Sequence, residues 1–254
     1  MSQYYFVASA LPSLSLDVKS ELSSHELRTL YAMNLKFSDL RLVDKLFWAF
    51  DVSNLRAMWQ ELPLDERGAM SLKELDAAVL VKEGFAPFIV EFLERYETSA
   101  DRLRNIAALH VALYQTLSME GGFLARFASQ EREIYLILLA LRAKRLKRDL
   151  VRELQFEDLF DPLVASILAQ KDAADYTPPT GYEVLKGLFS YEPKAQEREL
   201  LAYRLEKIEE IEGTEPFSID HLLGYMARLL LVESWQTLDE AQGLSIIRDL
   251  SNYG

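Results

Sequence analysis

One stretch constrains the chain more than any other. Residues 123–153 read FLARFASQEREIYLILLALRAKRLKRDLVRE, with no proline or glycine and almost entirely strong helix formers. From Ile134 to Leu141 the run IYLILLAL is apolar on all sides. Such a helix needs other helices around it rather than one wet face. The run is too short to span a bilayer. It gives way at once to Arg142, Lys144, Arg145, Lys147 and Arg148. The expectation is a buried central helix over 123–153 that ends in a basic tip.

The rest of the chain fits helices packed around that strut. Ser23-x-x-Glu26, Ser71-x-x-Glu74, Thr180-x-x-Glu183 and Thr237-x-x-Glu240 have capping-box spacing, in which each side chain satisfies the other residue's backbone N–H. Pro87 and Pro162 stand where first helical residues are expected, and Asp161 precedes Pro162 as an N-cap. Ser38 opens a helix through Leu42, Leu46 and Phe50, which Asp51–Asn54 is expected to break before a short helix over 55–62. A further helix is expected over 101–118. Residues 3–11 (QYYFVASAL) suit either a short strand or an apolar first turn. Lys171–Gly181, with Pro178 and Pro179, is the clearest loop. Scarce glycine (10) and proline (8) in 254 residues agree with long helices. The fold class expected is therefore all-α, a multi-helix bundle. Gly121-Gly122 suggests two lobes, 1–120 and 121–254, joined by the long helix; one continuous domain is the alternative.

Composition removes several function classes. With no cysteine, thiol catalysis, zinc–thiolate sites, iron–sulfur clusters and disulfides are excluded. A net charge of −12 makes a poor general binder of nucleic acid or anionic lipid. The N-terminal stretch lacks the basic region of a signal peptide. None of His25, His110 and His221 has Glu three residues before it, as di-iron bundles require, and no His-Glu-x-x-His or phosphate-binding glycine motif occurs. The histidines read as structural. The nearest approach to a metal motif is Asp158-x-x-Asp161, followed by Asp172-x-x-Asp175. Paired aspartates three apart on a helix can hold Mg²⁺. Asp161 as an N-cap, and Asp172 and Asp175 in a loop, is the plainer reading. No catalytic, cofactor or metal residue is assigned, and no small-molecule substrate is expected.

The basic tip has two readings. On the first, it is a solvated helix end whose cations favour the C-terminal dipole. In so acidic a chain they also form a concentrated positive dock for an acidic partner. Glu206, Glu209, Glu210 and Glu212 make the opposite patch, available to pair with Arg and Lys elsewhere in the fold.

Four stretches together, QYYFVASALPSL, REIYLILLALRAKRL, DPLVASILAQKDAADY and FSIDHLLGYMARLLLVESWQTLDEAQG, resemble a bacterial family typical of chlamydiae, spirochaetes and Bacteroides relatives, encoded among V-type ATPase genes. The resemblance covers nearly the whole chain. It implies a counterpart of the V-type ATPase C subunit (d in eukaryotes), a non-catalytic helical connector between the central stalk and the membrane proteolipid ring. This chain is shorter than usual C subunits and has no clear threefold repeat. The partners implied are stalk and ring subunits, and the place implied is cytoplasmic, peripheral at the inner face of the membrane. An assembly factor for that ATPase is the alternative, and a helical Mg²⁺ enzyme using Asp158 and Asp161 the more distant one. Arg142, Lys144, Arg145, Lys147 and Arg148 are the expected partner-binding residues.

Overall fold

Residues 4–237 are described in a computed structural model of the chain, and every regular element among them is a helix. They are α1 (Tyr5–Ser9), α2 (Ser24–Asn34), α3 (Phe37–Leu46), α4 (Trp48–Trp59), α5 (Leu72–Val81), α6 (Pro87–Arg95), α7 (Ser99–Arg104), α8 (Ile106–Ser118), α9 (Gly122–Arg145), α10 (Leu150–Glu153), α11 (Pro162–Ala169), α12 (Glu183–Leu188), α13 (Pro193–Ile211) and α14 (Ile219–Gln236). The all-α expectation holds. The helix expected from the capping box at Thr237 lies outside the described residues.

The chain divides into two compact units, 1–40 with 179–254, and 41–178. It passes from the first to the second inside α3 and returns between Pro178 and Pro179, within the proline loop. The glycine pair at 121–122 joins α8 to α9 inside the second unit, where those two helices pack against each other. The units therefore fall elsewhere than 1–120 and 121–254.

In the first unit, α14 is the central element. It packs on α13 and α2, and Leu222 to Ala227 and Leu229 to Val232 are buried without a break. Ser218 caps it by accepting from the His221 N–H. Gly224 is required for the fit of α13 on α14: a Cβ there would lie 2.7 Å from the Glu212 Cβ and 2.6 Å from its Oε2. Tyrosine hydroxyls close the polar gaps. Tyr31 donates to the Leu222 carbonyl (2.9 Å) and Tyr225 to that of Pro12 (2.8 Å). The N-terminal segment is not a strand but the short helix α1. The Tyr4 N–H donates to the Phe217 carbonyl, and the Tyr4 hydroxyl reaches Asp39 at 2.5 Å.

In the second unit, α9 packs against α8, α10 and α11. Ile134, Leu136, Ile137, Leu138, Ala140 and Leu141 are buried on it, with Tyr135 and Leu139 half-buried. The expected buried shaft is present. A second core joins α4, α5, α6 and α8 through Val52, Leu55, Leu75, Phe88, Ile89, Phe92, Leu109 and Leu113.

Four local expectations are corrected. Asp51–Asn54 does not break a helix; it lies inside α4. Its polar groups are spent on the following loop, since Asn54 exchanges hydrogen bonds with both backbone groups of Asp65 (2.8 and 2.9 Å) and Asp51 accepts from the Ala69 N–H. The helix expected over 101–118 is divided at Asn105, whose side-chain amide donates to the Asp101 carbonyl. Thr180 does not cap α12; Tyr182 stands at the N-cap, and Glu183 accepts from the Gly181 N–H. The capping boxes at Ser23 and Ser71 do form. Finally, the strut stops at Arg145 rather than Glu153. Lys147 takes a left-handed conformation (φ 53°), and the Lys147 and Arg148 N–H groups return to the Lys144 and Ala143 carbonyls. That closes a Schellman motif. Asp149 then caps α10 by accepting from the Val151 N–H.

Candidate interaction surface at the end of α9

The end of α9 gathers the five cations singled out in the sequence, and they are not equivalent. Lys144 is half-buried, and its Nζ donates to the carbonyls of Lys171 (2.6 Å) and Ala173 (2.7 Å). It fastens the turn after α11 to α9. Arg142, Arg145, Lys147 and Arg148 are exposed. Arg148 approaches Glu153 only to 3.9 Å, the outer limit of an ion pair, with 63% of its side chain in water. Lys147 makes no ion pair with any described residue. Arg152, on α10, adds another exposed cation that the sequence reading did not include.

Two aliphatic side chains stand among these charges. Leu146 is 59% exposed and Val151 51% exposed. Their neighbours Leu150 and Leu154 are buried and hold α10 to α9. The Schellman turn and the Asp149 cap thus fix a short segment in which exposed cations alternate along the chain with two exposed aliphatic residues. Only the exposure of Leu146 and Val151 distinguishes them from ordinary packing leucines and valines. The sequence signal that could have found the turn is Asp149, a cap residue between Arg148 and the apolar pair Leu150-Val151.

The segment from α10 to α11 is fixed by Arg132. Its Nε and Nη2 both donate to Glu157 Oε2 (3.1 and 2.6 Å), and its Nη1 donates to Asp161 Oδ2 (2.9 Å). The Glu157 side chain is only 5% exposed. Asp161 also accepts from the Leu163 and Val164 N–H groups, capping α11 as expected. Burial works to raise the Asp161 pKa, but the hydrogen bonds from Val164 and Arg132 and the guanidinium charge outweigh it and hold the carboxyl below its usual range. Asp158 accepts from the Phe160 N–H in a turn that leaves Phe160 almost wholly in solvent. Both carboxylates of the Asp158–Asp161 pair therefore have partners within the fold. Among the described residues no group of three or more His, Asp or Glu side chains is gathered to hold a metal ion.

Three residues of the opposite acidic patch are paired within the fold. Glu209 and Glu212 both bind Arg228 (2.8 and 2.9 Å), Glu212 also meets His221 Nδ1 at 3.2 Å, and Glu210 pairs with Lys207. His110 lies on α8 with its ring 6.0 Å from that of Tyr135. Burial, then the nearby charge of Arg56, pushes its pKa down to about 4. No described helix is long and apolar enough to cross a membrane.

Comparison with known proteins extends over the whole chain. An uncharacterised protein of Chlamydia muridarum is 26% identical over 243 residues, 91% of each chain. One from Chlamydia pneumoniae is 28% identical over 219 residues, 82% of each, and one from Chlamydia trachomatis 25% identical over 259 residues, 96% of each. No solved structure matches the chain. The family model described as "Protein of unknown function (DUF2764)" matches residues 1–253, and the chain belongs to that family.

Proposed function

We propose that this protein is a non-catalytic connector subunit of a V-type ATPase, linking the central stalk to the membrane ring, and that it docks an acidic partner through the basic end of α9. One observation carries the docking part: in a chain of net charge −12, Arg142, Arg145, Lys147 and Arg148 stand together in solvent on a turn fixed by backbone hydrogen bonds. Such a patch attracts and orients an acidic surface while contributing little to the stability of its own fold. The ATPase part rests on the resemblance of the four quoted stretches. Within its own compact unit, a buried helix such as α9 suits mechanical coupling, because close-packed interiors transmit strain rather than absorb it. On this reading the protein is peripheral at the inner face of the membrane and reaches it through its partners.

An assembly factor would use the same surface transiently, and co-purification separates the two. A tagged chain recovered from native membranes should bring stalk and ring subunits in the finished, ATP-hydrolysing complex. Recovery only with incomplete assemblies would make it an assembly factor. Recovery without any ATPase subunit would sink both readings.

A further inference from the structure

We propose that the basic end of α9 receives an amphipathic acidic helix of a partner protein, with Leu146 and Val151 as its apolar contacts and Arg142, Arg145, Lys147, Arg148 and Arg152 as the flanking charges. This rests on the docking reading above and specifies the partner's chemistry. Charge alone would accept any polyanion. Leu146 and Val151 narrow the choice, since each is more than half exposed and each lies next to exposed cations along the chain. Covering both asks for apolar side chains flanked by carboxylates, which a helix with Leu on one stripe and Glu beside it supplies. Lys144 is not part of the contact set, because its ammonium is already bound to the Lys171 and Ala173 carbonyls.

An anionic bilayer is the other surface with this chemistry, and the observations favour it less. The turn offers no aromatic side chain for the headgroup region, where Trp and Tyr are preferred. A chain of net charge −12 is also a poor general binder of anionic lipid.

The test uses three probes on the full-length protein. One is a synthetic helix of about 18 residues, roughly 27 Å long, with leucines on one stripe and glutamates flanking them. The second is its sequence-scrambled isomer of equal charge. The third is vesicles of phosphatidylserine and phosphatidylcholine. Anisotropy titration should show the amphipathic peptide binding at least about tenfold more tightly than the scrambled one. Leu146→Ser with Val151→Ser should erase that difference and leave the melting temperature unchanged, since both side chains are already exposed. Raised salt should weaken the scrambled peptide more than the amphipathic one, because only charge is screened. Equal binding of the two peptides to the wild type, or capture by vesicles without peptide binding, would overturn the proposal independently of any variant. If charge reversal of Arg142, Arg145, Lys147 and Arg148 abolishes binding while the serine pair changes nothing, the apolar contacts are wrong and the charged dock stands. If charge reversal itself changes nothing, the dock and this proposal fall together.

Discussion

Replacing Arg132 by methionine tests whether the segment between α10 and α11 is held by a buried charge. Methionine keeps the aliphatic stem, so the change isolates the guanidinium. That group makes two hydrogen bonds to Glu157 and one to Asp161. Asp161 is a quarter exposed and retains its two backbone donors, so its share is small, up to about 1 kcal/mol. Glu157 is different. Its side chain is almost fully enclosed, and it lies with Val111, Leu136, Leu139 and Leu154 around a small cavity. Removing one partner of a buried pair costs about 3–5 kcal/mol, because the remaining charge is stranded. The expected loss for Arg132→Met is therefore about 3–5 kcal/mol. Adding Glu157→Gln should return most of it, leaving the double variant within about 1–2 kcal/mol of wild type. Urea unfolding at neutral pH, followed by far-ultraviolet circular dichroism, reads both values, provided the urea dependence is unchanged. A loss below about 1 kcal/mol, or a double variant no better than the single one, would show that no buried charge holds this segment.

Leu138→Ala should destabilise by about 2–5 kcal/mol in the same assay, through lost burial and the cavity left in α9; a loss under half a kcal/mol would mean that the shaft is not central. His110 gives a pH signature. The unfolded chain takes up its proton near the ordinary histidine value, whereas the folded chain does so only near pH 4, so stability should fall as pH drops through that interval. His110→Gln should flatten that part of the profile between pH 7 and 5, and an unaltered slope would show that another group is responsible.

Helix-level features were legible in the sequence wherever a signal was local and had one use. The apolar run 134–141 could be satisfied only by enclosure, and Ser23, Ser71 and Asp161 cap the helices that follow them. Errors arose where a polar residue serves a partner distant in sequence. Asp51 and Asn54 look like a helix break until the backbone of residues 65 and 69 is seen to use them. The turn at Lys147 was missed because a non-glycine residue occupies the left-handed position that usually announces a helix end. At the candidate surface, the basic cluster was visible as charge, but its division was not. Lys144 points to carbonyls 27 and 29 residues away, and no local pattern separates it from Arg142. The exposure of Leu146 and Val151 is likewise a property of how α10 folds back on α9. The two compact units were hidden because the first is built from both ends of the chain.

The proposed dock places ATPase subunits on the exposed cations at the end of α9. It is tested most directly by pull-down of stalk subunits with the wild type and with a variant in which Arg142, Arg145, Lys147 and Arg148 are reversed to Glu, at low and moderate salt. Lys144 is left in place so that the turn after α11 is undisturbed. The wild type should capture the stalk subunits strongly and less so as salt rises, the variant should capture little at either salt concentration, and the two melting temperatures should be closely similar. Equal capture at every salt concentration, with a sharply lower melting temperature in the variant, would contradict the proposed dock and make the tip an internal ion-pair network.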